Sequence, residues 1–521
     1  MNVGMILLAV LPVVVIFIVL VVFRKPADVT GLAGWIFTAL LAWFAFRTGW
    51  PVILRASLSG IVASLPIAFV VATSILQMTL MQKTGALQRL IVTLKTVSRG
   101  DHVVQVLIIN VGVGTLLTAL GAVPVSILPP IMLALGYSAF AAIALPAIGY
   151  DSLCTYALLG TPVVIFAQFT GQTPEAVGTF FARFMPVITT LIALGMLYIV
   201  GRWRMVARGL APAIITGLVA GFVAIAMNAA GLVTLTGIAS GAAVALVMGL
   251  YLAVRKRPVF DRSALTPEDH ATESTMSLVR ALSPWIILVI LSLVSNEPWF
   301  GIKRFLFDRV SMPWNIIPGQ PEKLRIFWQA YWWILVSTVL ALPFLRATGG
   351  QVKDTLKTWW KRAPRPVFSA AVFFAIAYII NHSGKPGVVG ANGQWFLPDP
   401  GFNMVALLAN ASADIFGRFY SLVAPYLGLL AGFISGSEGS AIAMLTKLHL
   451  TTAAKIGASG YIIAAASAIG GGLASVISPA KLQNAAAAID RIGMETEVIK
   501  TVVIIAVAIV LAVAGLAFLW A

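Results

Sequence analysis

The sequence predicts an all-α protein that crosses a membrane many times, and three observations carry that prediction. Of its 521 residues 60% are hydrophobic and only 10% charged, where a soluble globular chain carries about a quarter charged residues. Apolar runs of bilayer-spanning length, ~20 residues, recur along nearly the whole chain. Two further regions are equally apolar yet rich in helix breakers at matched spacing. Together these imply roughly 12–14 transmembrane helices, and they exclude a soluble enzyme, a secreted scaffold and a disordered chain.

The apolar runs cover about 3–23, 29–46, 56–80, 103–120, 180–200, 210–229, 231–254, 282–297, 327–345 and 366–381. The first has no basic residues ahead of it, since Arg24 and Lys25 follow it, and no small-x-small cleavage pattern. It therefore reads as a retained helix and not a signal peptide. One alternate set of loops (24–28, 83–100, 201–209, 255–280, 346–365) holds 20 Lys and Arg, whereas 47–55, 298–326 and 384–401 hold 8. By the positive-inside rule the first set is cytoplasmic and the N-terminus extracytoplasmic. This topology absorbs the net charge of +17, and nucleic acid is not an expected partner because no basic run is interleaved with aromatics.

Residues 350–362 alternate apolar and basic positions at helical spacing, so they predict a helix lying on the inner surface. Loop 298–326, with Trp299, Pro313 and Trp314, is expected to be ordered at the interface. The single cysteine, Cys154, excludes a disulfide framework and reads as a small packing residue.

Residues 112–171 and 428–490 behave differently. Each opens with an apolar helix that runs into a break, Thr118-Ala119-Leu120-Gly121 in one and Ser435-Gly436-Ser437-Glu438 in the other. A segment too short to span alone is expected next, then a second break at Gly160-Thr161-Pro162 or Ile477-Ser478-Pro479. Gly121 precedes Pro162 by 41 residues and Gly436 precedes Pro479 by 43, which argues for an internal repeat. Unwound backbone survives at membrane depth only inside protein or along an aqueous cavity. Paired broken segments in corresponding halves thus point to a midplane site of a secondary transporter. The domain reading follows: scaffold helices 1–102, a first transport core 103–171, central helices 172–381, an extracytoplasmic loop 382–402, a second core 403–490 and a C-terminal helix 491–521.

Ionisable residues at membrane depth are expensive and mark pathways, relays or ion pairs. Asp151 and Glu438 lie in the breaks and are the candidates for ion coupling. Lys481, two residues past Pro479, is a point charge that either attracts an anion or pairs with Glu438 or Asp490. His382 is either a proton relay or a neutral, hydrogen-bonded side chain. Asp414 with Arg418 reads as a pair at a helix end, Asp490 and Arg491 as a helix terminus, and Lys447 and His449 as residues snorkelling to an interface.

Several blocks resemble the lactate permease family, bacterial carriers of L-lactate and glycolate coupled to protons. They are Tyr378-Ile379-Ile380-Asn381-His382-Ser383-Gly384, Gly432 to Ser440, Gly470-Gly471-Gly472 with Ile477-Ser478-Pro479, and Gly160-Thr161-Pro162 with Gln168-Phe169-Thr170-Gly171. The resemblance implies two inverted repeats with paired re-entrant hairpins, an elevator-like movement and residence in the cell inner membrane. It also implies a hydroxy-acid substrate, for which Thr118, Ser126, Thr161, Asn381, Ser435, Ser437, Ser440, Ser478 and Asn484 would supply neutral hydrogen bonds, with His382 and Lys481 beside them. The chain departs from the family pattern where Thr118 stands in place of a glutamate. Asp151 and Lys481 likewise stand where neutral residues are usual. Asp151 is expected to take over the proton-coupling duty that Thr118 cannot perform.

The expected function is therefore secondary transport of a small organic anion by proton symport. Sodium coupling, or a dicarboxylate or sulfonate substrate, stays open. No Gly-x4-Gly-Lys-Ser/Thr loop is present, so ATP hydrolysis is not expected. A membrane-embedded transferase would need acid or histidine clusters, and His102, His270, His382 and His449 are scattered. A channel would show no concentrative uptake. No cofactor or metal is expected; the partners are the anion, a proton or Na⁺ and the lipid bilayer, with a homo-oligomer left open.

Overall fold

The computed structural model describes residues 3–23, 25–98, 100–263, 265–296 and 301–521, and only the backbone at Val21, Pro479 and Ala480. Arg24, Arg99 and Trp299, used above for topology and for the interfacial loop, lie outside the described residues. The chain opens with α1 (Val3–Phe17), α2 (Ala27–Phe44), α3 (Trp50–Lys83) and the short α4 (Ala86–Lys95). The first broken region follows as α5 (His102–Val106), a π-helical stretch Leu107–Val113, α6 (Gly114–Ala119), α7 (Pro124–Ala134), α8 (Ala139–Gly149), a 3-10 segment Tyr150–Tyr156 and α9 (Ala157–Thr170). Next come α10 (Pro174–Ala182), α11 (Met185–Ala229), α12 (Thr236–Val254), α13 (Pro267–Thr275), α14 (Leu278–Asn296) and the one-turn α15 (Ile302–Arg304). A hairpin of β1 (Met312–Ile317) and β2 (Gln320–Leu324) leads to α16 (Ala330–Leu345), α17 (Gly349–Arg362) and α18 (Pro364–His382). The chain closes with α19 (Met404–Phe416), α20 (Tyr420–Ser435), α21 (Glu438–Ile456), α22 (Gly460–Leu473), a 3-10 turn Ala474–Ile477, α23 (Pro479–Ala487) and α24 (Glu495–Trp520).

Among the described residues twelve helical stretches are long and apolar enough to cross a bilayer, so the protein is an all-α polytopic membrane protein. Local chemistry sets many of the boundaries. Pro124, Pro174, Pro267, Pro364 and Pro479 each open a helix, where the missing N–H costs nothing. Asp101 caps α5 by accepting from the amides of Val103 and Val104, and Asn403 caps α19 through Ala406, each satisfying an otherwise orphaned donor. The run 210–229 and, from Met185 on, the run 180–200 form the two arms of α11, bent at Gly201 and at Arg202, whose φ is 54°. The loop 298–326 contains the antiparallel hairpin, with Trp314 opposite Glu322 and Ile317 opposite Gln320.

The two broken regions share an order of elements. In both, a helix ends at a left-handed glycine, Gly121 (φ +89°) or Gly436 (φ +68°). A second helix follows, then a turn at Gly136 or Gly457, a third helix, a 3-10 break and a fourth helix. The intermediate segment is short in the first region, the 11-residue α7. In the second it is the 19-residue α21, about 28 Å at 1.5 Å per residue, so the expectation of a segment too short to span fails there. Helix α21 is less apolar than its length requires, which is why a hydropathy pattern underestimates it.

Small residues let the helices of the second region meet backbone to backbone. A Cβ on Gly428 would collide with the carbonyl of Ser467, one on Gly432 with Gly471, and one on Gly470 with Pro425. This is the close approach that a Gly-x-x-x-Gly spacing permits between membrane helices. Helices α3 and α18 do the same at Gly60, whose Cβ would lie 2.7 Å from the Phe374 carbonyl oxygen.

In the loop before α14, Thr266 and Asp269 form a reciprocal capping box at the start of α13, and Lys95 donates to Asp269 at 2.8 and 3.1 Å. Burial pushes the Asp269 carboxyl up, but the hydrogen bonds from Lys95 and Thr266 outweigh it and hold the group below its ordinary value of 3.8. A carboxylate depressed in the folded state contributes stability above its unfolded value, and loses it as the pH falls through the folded one. Hydrogen exchange should accordingly show α13 protected at neutral pH and opening below about pH 4. Asp269→Asn is expected to abolish that pH dependence.

Candidate functional site

The breaks of the two regions meet. Residues Tyr150–Tyr156 are all buried and pack against α22. Thr155 donates from Oγ1 to Glu438 Oε1 at 2.7 Å, joining the first region's break to the first turn of α21. Lys481 donates from Nζ to the Tyr150 hydroxyl at 3.2 Å and to Ser475 Oγ at 2.6 Å, bridging the regions a second time. A Cβ on Gly472 would strike Cys154 Sγ and lie 2.7 Å from Glu438 Oε2. Cys154 thus packs beside the carboxylate. Gly472→Ala overpacks this contact, and we expect a destabilisation of about 1–3 kcal/mol, seen as a lower thermal unfolding midpoint in detergent and a loss of uptake.

Asp151 is 1% exposed, and neither of its carboxylate oxygens has a hydrogen-bond partner among the described residues. It lies within the electrostatic reach of both Lys481 and Glu438. Three ionisable side chains that the sequence singled out separately therefore form one cluster, the two acids buried and Lys481 half-buried. A buried polar group without a partner costs ~1–3 kcal/mol, more when charged, so Asp151 is a site that a cation or a donor would relieve. The segment is held from behind: Ser152 Oγ meets Thr115 Oγ1 at 2.9 Å, and the Ser152 carbonyl accepts from Thr189 Oγ1 at 3.2 Å.

The other candidate residues distribute unevenly. Thr118 spends its hydroxyl on the Gly114 carbonyl at 2.8 Å, and Ser435 spends its own on Ala431 at 2.8 Å and Ser437 at 3.1 Å. Ser440 is buried beside Glu438 on the first turns of α21, and its hydroxyl has no partner among the described residues. Ser478 is buried at the second break. Ser126 and Asn484 are exposed and lie outside the hydrogen-bonded cluster. Thr161 donates to the Leu158 carbonyl and lines a different small pocket with Leu159, Thr234, Ser292, Asn296 and Trp333. It follows three left-handed residues, Leu158, Leu159 and Gly160, with φ of 52°, 55° and 72°. The two leucines carry the Cβ clash of that conformation, ~1–2 kcal/mol each.

Asn381 and His382 belong to another group at the end of α18. His382 Nδ1 lies 3.1 Å from Lys385 Nζ, and its ring stands edge-on to Trp395 at 5.5 Å. Burial, and the charge of Lys447, bring the Lys385 ammonium down to about 8. His449 does not snorkel: it is buried, with Tyr420 OH at 2.8 Å and Ser467 Oγ at 2.7 Å. Asp414 and Arg418 do not form the expected helix-end pair. Gly417, at φ 50° and ψ −134°, breaks the helix between them, and Arg418 lies over the Phe518 ring at 5.0 Å.

Sequence reasoning missed Tyr150, Thr155 and Ser475, hydroxyl residues adjacent to the chosen ones but without charge to mark them. It also missed Glu322, which is 8% exposed on β2. Its polar loop gave no sign of burial.

The chain matches the family model described as L-lactate permease over residues 5–521. It is similar to the glycolate permease of Escherichia coli (strain K12), 24% identical over 95% of this chain and 91% of that protein. It is also similar to the L-lactate permeases of Salmonella typhimurium, 24% identical over 84% and 81%, and of Bacillus subtilis, 23% identical over 95% and 92%. The blocks around Glu438, Ser478 and Tyr378 that suggested a carrier thus lie inside a match spanning nearly the whole chain, and this multi-pass membrane protein belongs to the L-lactate permease family, as a permease and not an enzyme.

Proposed function

We propose that the chain is a secondary active carrier of a small 2-hydroxymonocarboxylate of the lactate or glycolate kind. In this reading it works by alternating access, with a proton as the coupling ion and the site between the two broken regions. The observation that carries it is the cluster in which half-buried Lys481 of the second region reaches Tyr150 of the first, beside the buried Asp151 and Glu438. Lys481 offers a substrate carboxylate a charge-assisted hydrogen bond, and Tyr150, Thr155, Ser440 and Ser475 offer hydroxyls to its 2-hydroxyl group. With both acids ionised the cluster holds two negative charges and one positive. An incoming monocarboxylate adds a third negative charge in a desolvated site, and uptake of a proton removes one. Charge balance therefore favours co-transport of anion and proton. The names of the similar permeases support the substrate class, and the parallel element order of the two regions is compatible with an inverted repeat. The loop charges favour an extracytoplasmic N-terminus in the inner membrane.

The test is uptake into proteoliposomes from a panel of 2-hydroxy acids, dicarboxylates and sulfonates, with pH and Na⁺ gradients imposed one at a time. Accumulation of lactate or glycolate driven by the pH gradient alone is expected. Accumulation that follows only the Na⁺ gradient replaces the coupling ion, and failure of every small anion to move sinks the reading.

A further inference from the structure

Glu322 is a further buried carboxylate, apart from the cluster around Lys481. Its Oε1 accepts from Ser59 Oγ of α3 at 3.0 Å and from the Tyr378 hydroxyl of α18 at 2.6 Å. Its Oε2 accepts from Gln168 Nε2 of α9 at 2.9 Å. None of the ion pairs among the described residues involves it. Three neutral donors thus converge on a carboxylate delivered by a hairpin from outside the helix bundle. A charge-assisted hydrogen bond is shorter and stronger than a neutral one, and here each donor comes from a separate helix. The position of one carboxylate therefore fixes three helices with respect to each other.

Two of those donors sit in blocks that the cluster around Lys481 does not use. Gln168 opens Gln168-Phe169-Thr170-Gly171, and Tyr378 opens the block ending at Gly384. The blocks also touch directly, since Phe169 stands edge-on to Tyr378 with ring centroids 5.8 Å apart and against Phe374 at 5.9 Å. Helix α9 closes the first broken region, whereas α3 and α18 are continuous helices that pack on one another; both α9 and α18 also pack on α21, whose first turn carries Glu438. Gln168 is thus the donor on the side of the broken regions, and Ser59 and Tyr378 are the donors on the side of the continuous helices.

We propose that Glu322 is a positioning residue of the transport cycle, a tie that holds α9 to α3 and α18 in the conformation described here and releases Gln168 when the broken regions move. The proposal rests on the alternating-access reading above. It makes the hairpin β1–β2 a clamp on the moving part, with the carboxylate as its contact point.

The experiment uses the full chain reconstituted in liposomes. In a Gln168→Cys/Glu322→Cys variant, a bifunctional thiol reagent as long as the two lost side chains is expected to arrest uptake relative to the same variant before treatment. Cleaving the reagent is expected to restore it. Independently of uptake, a membrane-impermeant maleimide should label a reporter Thr170→Cys at the end of α9, with Gln168 intact, about tenfold faster when Glu322→Ala is added, the factor equivalent to one charge-assisted hydrogen bond. Glu322→Gln, which keeps an acceptor for Ser59 and Tyr378, should fall between the two. A bridged protein that transports as before, or a labelling rate indifferent to Glu322, overturns the proposal and leaves Glu322 a static packing residue. If the unmodified protein carries no 2-hydroxy acid, the functional reading fails by itself, and the labelling comparison still reports whether Glu322 restrains α9.

Discussion

Lys481→Met is expected to lower uptake of a small carboxylate by about 10- to 100-fold, the equivalent of one charge-assisted hydrogen bond. The change keeps the length and apolar stem of the side chain and removes its charge, so its contact with the Tyr150 ring survives. What is lost is the cation that bridges Tyr150 and Ser475 and lies within reach of Asp151 and Glu438. The defect should show as a raised KM with the protein still folded, since substrate attraction and not the conformational change depends on this charge. Lys481→Arg should restore part of the affinity, limited by the geometry of a planar guanidinium in a pocket built for a point charge. Initial rates across substrate concentration, together with thermal unfolding in detergent, separate these outcomes. An unchanged KM in a folded Lys481→Met protein would remove Lys481 from the substrate site.

Asp151→Asn and Glu438→Gln are expected to separate exchange from accumulation. Each substitution preserves shape and a hydrogen-bond acceptor; the amide oxygen of the Glu438→Gln variant still accepts from Thr155, as the native carboxylate does at 2.7 Å. Neither amide titrates near neutral pH, so a variant at the coupling position should exchange labelled substrate across the membrane while failing to concentrate it against a gradient. A drop in pH-driven accumulation of about tenfold or more is expected at the residue that carries the proton. Asp151 is the first choice, because its oxygens are unpartnered, whereas Glu438 is already engaged by Thr155. If Asp151→Asn accumulates substrate with unchanged dependence on pH, the duty falls to Glu438. If both variants do, proton coupling through this cluster is wrong.

How much of this was legible in the sequence depends on how local the signal was. The membrane helices follow from runs of apolar residues, and the breaks at Gly121 and Gly436 are where left-handed glycines end helices in the structure. Asp151, Glu438 and Lys481 stood out because charge is costly in an apolar stretch, and they converge. The hydroxyl partners Tyr150, Thr155 and Ser475 carry no such cost and gave no signal. Glu322 was hidden for the opposite reason: its neighbours in the chain are polar, and its burial comes from Gln168 and Ser59, 154 and 263 residues away. Leu158 and Leu159 disfavour the left-handed conformation they adopt, so nothing local could announce it. The spacing of Asp414 and Arg418 promised a pair that required an unbroken helix, and Gly417 removes that helix.

The contacts that complete the cluster have a consequence for biogenesis. Thr155 waits for Glu438, 283 residues later, and Tyr150 for Lys481, 331 residues later. While the ribosome is still extending the chain, the unwound stretch Tyr150–Gly160 enters the bilayer without the groups that later cover it, a costly state for exposed backbone. Membrane integration and assembly must therefore be separate stages, with the early helices parked in a provisional arrangement until the last fifth of the polypeptide emerges.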